Sequence, residues 1–321
     1  MNKLFSTHGR ELSALIAIIL MFVIFTGIDS IYMSPDNIRD IIEQATIYGL
    51  MGIGITGIII AGGIDLGVGS ALAFTAVVVA RQAVNGVHPV YCMLLGIVIG
   101  AALGMVNGLL VTKFKLQPFI ATMGTMSIYR GMAYLYTEAI PVIGVPREYR
   151  FFVDGEILPY VRSSILIFVI FAVIVHIILR YTCFGNHVYA VGGNEEAARL
   201  SGVRVGYVRT MVYSLGMVGT ALAAMVQLGK LGAGDPTTGQ GYELNAIAAA
   251  AIGGTSMAGG RGTILGTVLG AILFSGLKVG LIVAGVDIFW QYVATGLVII
   301  VSAYVEVLQN TLSSGPAAKR A

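Results

Sequence analysis

Six polar residues stand inside or beside long apolar runs of the sequence, and their types bound what the chain can do. Arg130, His176 and Lys278 are ionisable, Asp65 sits in a glycine-rich break, and Asn107 and Asn245 are polar without charge. Ionisable groups in lipid are costly and mark substrate paths, relays or helix contacts. Arg130 reads either as a contact for a polar cargo or as a pin that holds neighbouring helices through backbone carbonyls. His176 falls toward one end of its span and reads as packing. No Asp or Glu falls at mid-span, so a proton or sodium relay lacks its usual carboxylate.

The sequence also lacks the spacings that covalent chemistry needs. There is no His-Glu-x-x-His, and Gly254-Thr-Ser-Met-Ala258 is missing the second glycine of a nucleophile elbow. The one Gly-Lys pair, Gly229-Lys230, is followed by Leu231, so no phosphate loop forms. The chain is therefore expected to be no enzyme, to hold no cofactor or metal, and not to bind ATP itself.

Two glycine-rich stretches, Ala61 to Ser70 and Gly253 to Gly262, interrupt apolar sequence. Irregular backbone at membrane depth is tolerated where it lines a cavity or is buried in protein. Asp65, Gly67 and Ser256, with Asn107, Arg130 and Asn245, are the candidates for a pathway or gate. On the alternative reading, Asp65 caps the following span and Arg261 anchors its own span at the interface.

The elements that position these residues follow from composition. Of 321 residues, 57% are hydrophobic and 11% charged, with a mean hydropathy of +0.88. A soluble domain carries about a quarter charged residues. The expected fold is all-α and polytopic, one transmembrane domain over residues 1–321 that meets the lipid bilayer directly. A span needs about 20 mostly apolar residues. Ten segments qualify: 12–28, 45–61, 68–85, 90–112, 118–137, 163–181, 207–229, 243–258, 262–284 and 288–308. The first follows Lys3 and Arg10 as a signal peptide would, but no small-x-small cleavage site follows, so it reads as a retained span.

Cytoplasmic loops carry excess Lys and Arg. With the N-terminus inside, Lys3, Arg10, Lys113, Lys115, Arg180, Arg199, Arg204, Arg209, Arg261, Lys319 and Arg320 face the cytoplasm, against Glu11, Asp65, Glu195, Glu196 and Glu306. Both termini are then expected in the cytoplasm. Cys92 and Cys183 fall on opposite sides and form no disulfide. A net charge of +3 without a dense basic block argues against nucleic-acid binding.

Two loops are long. The outer one, 138–162, contains Pro141, Pro146 and Pro159 and is polar and turn-rich, with Arg147 and Arg150 as candidates for contact with a partner outside. The inner one, 180–209, carries Asn194, Glu195, Glu196, Ala197, Ala198, Arg199, Leu200, Ser201 and Gly202. Asn suits an N-cap, the two acids complement the positive helix end, Arg199 the negative end, and Gly202 a left-handed C′ position. A helix so short is unstable alone. It reads either as a rigid knob presented to another protein or as a surface helix packed on its own spans.

Glycines recur every four residues at Gly96, Gly100, Gly104 and Gly108 and again at Gly262, Gly266 and Gly270, a spacing that lets helix backbones touch. The two ridges lie five spans apart, and an odd offset reverses direction, so spans 2–5 and 7–10 fit inverted-topology repeats. Glycine ridges also arise without duplication.

Five motifs occur in series: Gly62-Gly-Ile-Asp-Leu-Gly-Val-Gly-Ser70, Gln117-Pro-Phe-Ile-Ala-Thr122, Gly192 to Val203, Gly241-Tyr-Glu-Leu-Asn-Ala-Ile-Ala248 and Gly253-Gly-Thr-Ser-Met-Ala-Gly-Gly260. Over about residues 35–308 the chain resembles the ribose-type permeases of bacterial ATP-binding-cassette sugar importers, the group serving ribose, galactose, allose, xylose and autoinducer-2. The resemblance implies a multi-pass protein of the bacterial inner membrane and a pore of two such subunits. It also implies a separate cytoplasmic ATPase that binds ATP and Mg, and a periplasmic sugar-binding protein. It assigns the coupling contact with the ATPase to the 194–202 helix. The sequence departs from the family's pattern at Gly67, where Ser is frequent, and at Asn245, where Asp is common. The second departure removes a charge from that site.

Overall fold

The computed structural model describes residues 2–158 and 161–313 of the chain. Pro159, Lys319 and Arg320 of the charge and loop readings lie outside the described residues. Among the described residues thirteen α-helices carry the fold: α1 (Asn2–Ile28), α2 (Pro35–Ile60), α3 (Val68–Val84), α4 (Pro89–Thr112), α5 (Pro118–Thr137), α6 (Arg147–Asp154) and α7 (Ser163–Tyr181), then α8 (Cys183–Gly193), α9 (Glu195–Leu200), α10 (Val205–Leu231), α11 (Tyr242–Ile252), α12 (Ile264–Val283) and α13 (Ile288–Ser313). Two small antiparallel ribbons, 142–143 with 233–234 and 156–158 with 161–162, tie loops together.

Helices α2, α4, α7, α10 and α12 are long and apolar enough to cross a membrane, and shorter apolar helices cover Leu12–Ile28, Val68–Val84, Tyr242–Ile252 and Ile288–Val301. Helix α5, with Arg130 and three threonines, belongs to neither group, so length and composition support the polytopic class without fixing the number at ten. The sequence boundaries shift at several places. Ser34 caps α2 through the Asn37 amide and Pro35 opens its first turn, so the second helix begins ten residues before the expected 45. Its 26 residues reach about 39 Å, beyond the roughly 30 Å of hydrocarbon. The eighth segment, expected over 243–258, stops at Ile252 because Gly253, Gly254 and the turn that follows cannot continue it. The 180–209 segment is mostly helix: Thr182 caps α8 through the Gly185 amide, and α10 starts at Val205.

Helices α2 and α10 form the centre, with 89% and 78% of their apolar windows buried. They cross where two glycines meet: a Cβ on Gly54 would lie 2.2 Å from the Gly216 carbonyl oxygen, and one on Gly216 2.9 Å from the Gly54 oxygen. Around that pair the contacts exchange in order. Helix α4 packs on α10 as α12 packs on α2, α3 on α10 as α11 on α2, and α5 on α3 as α13 on α11. This is the pattern a two-fold relation of α2–α5 to α10–α13 generates. The glycine ridges do not follow it fully. Gly96, Gly100, Gly104 and Gly108 all face α10, whereas Gly266 and Gly270 face Gly253 and Ala249 of the α11 end. Large apolar side chains such as Val98, Ile120, Leu135 and Val169 remain exposed on the outer faces, as lipid-facing positions require.

One end of the bundle is held by ions rather than glycine. Glu43, 7% exposed in its side chain, pairs with Arg39 at 3.0 Å, Arg162 at 2.8 Å and Lys230 at 3.0 Å. Arg162 also bonds Asp154 at 2.5 Å, and Ser164 Oγ donates to the same carboxylate. Burial pushes the Asp154 carboxyl up, against the lowering effects of Ser164 and Arg162. Glu43→Gln removes the charge on which α2, α10 and the 161–162 strand converge. Taking one partner from a buried ionic cluster costs about 3 kcal/mol. The loss is expected as a fall in thermal midpoint of the detergent-purified chain, and an unchanged midpoint would contradict the role given to Glu43.

Candidate functional site

Helix α9 forms with both expected caps. Asn194 Oδ1 accepts the Ala197 amide at 2.9 Å. At the other end Gly202 takes φ +85°, its amide bonds the Arg199 carbonyl, and the Val203 amide bonds the Ala198 carbonyl, which is a Schellman closure. Glu196 and Arg199 pair with each other on the exposed face. Ala198 faces inward at 5% exposure, while Leu200 stands 81% exposed at the tip. The helix is thus anchored on one side and presents an apolar tip flanked by a charge pair on the other.

Beneath α9 lie the two glycine-rich breaks. In the first, Asp65 is fully buried, and its two oxygens accept the Gly67 amide and Asn107 Nδ2, both at 2.8 Å. Asn107 Oδ1 in turn accepts from the Tyr129 hydroxyl at 2.8 Å. Gly67, not Asp65, is the N-cap residue of α3, and no side chain caps it. Asp65 therefore makes a local turn and ties the break to α4 and α5. A Cβ on Gly67 would stand 3.2 to 3.4 Å from Asp65, Thr125 and Asn107, so small polar substituents meet polar neighbours there. In the second break Ser256 is buried, its amide bonding the Arg261 carbonyl and its carbonyl accepting from Gly259. Arg261 is exposed.

A third break, 232–241, which sequence reasoning did not single out, starts at the other end of α10 and reaches back to the first break at Gly69. Arg130 Nη1 donates to the carbonyls of Pro236 at 2.5 Å and Thr238 at 2.8 Å, and Nη2 to Gly69 at 3.4 Å. Gly69 leaves room for this closure, since a Cβ there would come within 2.3 Å of the Gly239 oxygen and 2.4 Å of the Glu243 carboxylate. Arg130 thus joins α5, α3 and the 232–241 break. The Gly-Ala-Gly-Asp-Pro run was the signal that could have marked it. Arg150 Nε donates to the Gly229 carbonyl at 3.1 Å, while Arg147 is exposed on α6.

Asn245 and Lys278 converge on one tyrosine. Lys278 Nζ donates to Tyr48 Oη at 3.0 Å, and Asn245 lies beside the same tyrosine. His176 is half-buried with its ring against Tyr181. A cavity of 570 Å³ lies elsewhere, between α4, α6 and α7, lined mainly by Met93, Phe151, Phe152, Leu166, Ile167 and Ile170. Its apolar lining and its distance from Asp65, Arg130 and Lys278 in the fold set it apart from the polar sites. Among the described residues no three His, Cys, Asp or Glu side chains group as metal ligands. The polar sites tie the breaks to the helices around them.

Comparison with known proteins shows the family. The family described as "Branched-chain amino acid transport system / permease component" matches residues 37–303. The ribose import permease protein RbsC of Bacillus subtilis (strain 168) is 41% identical over 299 residues, covering 92% of each chain. Its counterpart in Escherichia coli (strain K12) is 36% identical over 92% of this chain and 93% of its own. The galactose/methyl galactoside import permease protein MglC of Escherichia coli (strain K12) is 33% identical over 96% of this chain and 97% of its own. No solved structure matches the chain.

Proposed function

Because this chain belongs to the branched-chain amino acid transport system permease family, we propose that it is the membrane-spanning permease subunit of an ATP-binding-cassette importer for a monosaccharide. The observation that carries this reading is similarity in sequence to ribose and galactose import permeases over more than nine-tenths of each chain. The family description favours a second cargo, a branched amino acid, but the individual relatives at 33–41% identity are sugar permeases. A ribose-like pentose or a hexose is the cargo adopted here.

The chain supplies the pathway, and a separate cytoplasmic subunit binds and hydrolyses ATP. Two copies of this chain form the pore in the inner membrane. Helix α9 and the N-terminus lie on the cytoplasmic side, where α9 meets the ATPase. A periplasmic sugar-binding protein docks at the opposite end near Arg147 and Arg150. Asp65, Gly67, Asn107 and Ser256 then bound the pathway on the inside, and Arg130 and Asn245 on the outside. Supporting the placement of α9, its tip is exposed.

The assembly is open to a direct test. Affinity-tagged chain, co-expressed with the ATP-binding subunit and solubilised gently, is expected to bring that subunit with it in a complex whose light-scattering mass requires two permease copies. A complex holding one copy would contradict the paired pore, and absence of the ATP-binding subunit would contradict the importer reading.

A further inference from the structure

Between α9 and the first glycine-rich break the chain has an unusual joint. Backbone meets backbone: the Gly260 amide donates to the Ile60 carbonyl at 2.9 Å, and a Cβ on Gly192 would stand 1.6 Å from that same oxygen. A Cβ on Gly260 would lie 2.8 Å from Gly193 Cα. Gly62, Gly259 and Gly260 have φ of +77°, +87° and +71°, which side-chain-bearing residues rarely adopt. The α8–α9 corner therefore meets both breaks largely backbone to backbone, at glycines that leave no room for a side chain. Two side chains cross the joint: the Tyr189 hydroxyl of α8 donates to the Gly262 carbonyl of the second break at 2.8 Å, and Arg209 reaches the first break. Arg209, on the first turns of α10, pairs through Nη2 with Glu195 Oε2 at 2.8 Å and donates from Nε to the Ala61 carbonyl at 3.3 Å. Glu195 is the first residue of α9, and Ala61 is the C-cap of α2, whose carbonyl helix geometry leaves without an intrahelical donor. One turn further along α10, the Tyr213 hydroxyl bonds the Ile64 carbonyl at 3.1 Å, next to Asp65.

We infer that Arg209 is a positioning residue that fixes the α2–α3 break to α9, so that displacement of α9 by the ATP-binding subunit moves Asp65 and its partners. The inference rests on the reading of α9 as the ATPase contact. The guanidinium suits this place because its fork serves an acid and a carbonyl at once, whereas an ammonium is a single point donor. Glu195 and Arg209 are 46% and 22% exposed, so the ion pair itself adds little to stability. What it adds is a side-chain connection from α9 to the first break, beside the one Tyr189 makes from α8 to the second.

The test uses the complete importer in proteoliposomes, with Arg209→Lys and Glu195→Gln compared with the unaltered chain. Sugar moved per ATP hydrolysed is expected to fall about tenfold in each, a coupling loss within the usual range for linked sites. In the Arg209 variant the ATP-binding subunit should still copurify and hydrolyse ATP. A merely structural role would lower complex yield, hydrolysis and uptake together and leave their ratio unchanged. An unchanged ratio in both variants, with the complex intact, would overturn the inference. The underlying reading is checked separately by crosslinking Ser201→Cys to the ATP-binding subunit in a Cys183→Ser chain. Absence of that crosslink with Arg209 intact would remove the α9 contact itself, and with it the inference. Its presence with an unchanged ratio would remove only the role of Arg209.

Discussion

Leu200→Asp is expected to leave the chain folded in the membrane but to weaken its hold on the ATP-binding subunit by about thirtyfold, close to 2 kcal/mol. The reason lies in where α9 spends its side chains. Ala198 is buried against the chain's own helices, both caps are complete, and Leu200 is 81% exposed at the tip. Removing an exposed leucine costs its own fold little. In a contact it is the apolar centre, with Glu196 and Arg199 as rim. Those two residues are 64% and 62% exposed in their side chains, and their mutual pair is worth little by itself. Arg199→Glu should therefore reduce uptake through the interface while leaving membrane insertion intact. Leu200→Met, which keeps an apolar tip, should behave as the unaltered chain. Binding measured with purified ATP-binding subunit separates these outcomes, and unchanged binding by Leu200→Asp would show that α9 is not the contact.

Gly54→Leu is expected to yield no stably folded chain. At the α2–α10 crossing the first added carbon already meets the Gly216 carbonyl at 2.2 Å, and that neighbour is backbone, which cannot turn aside. Gly54→Ala should cost about 3 kcal/mol, the upper part of the range for overpacking. Gly296→Ala provides the contrast, because a Cβ on Gly296 meets nothing within 4 Å. That change should raise stability by up to about 1 kcal/mol through helix propensity. Monodispersity and thermal midpoint in detergent report both results, and a normally folded Gly54→Leu chain would contradict the packing of the central pair.

The features legible in the sequence were those written in side chains at fixed spacing. Asn194, the paired glutamates, Arg199 and Gly202 announced α9 because capping depends on residue type and position. The Gly96 to Gly108 ridge likewise announced a close helix contact, and α10 supplies it. Other features escaped for physical reasons. Helix α2 extends through Asp36, Asp40 and Glu43, whose charges read as loop until Arg39, Arg162 and Lys230 gather around Glu43. Helix α8 was hidden because Gly185, Gly192 and Gly193 suggest a turn, although they serve close backbone packing. The ties made by Arg130 and Arg209 end on carbonyl oxygens, which every residue has, so no motif marks the receiving end. Asp65 shows both sides of this. Its place in a glycine-rich break was evident, but its bond to Asn107, 42 residues away, required the fold.

The central claim is that this chain moves a sugar only as part of an ATP-driven assembly. Uptake of labelled ribose into proteoliposomes tests it most directly, comparing the chain alone under a proton or sodium gradient with the chain joined to its ATP-binding subunit and sugar-binding protein. The account predicts no uptake by the chain alone and accumulation by the assembly only when ATP is hydrolysed. Gradient-driven accumulation by the chain alone would contradict it.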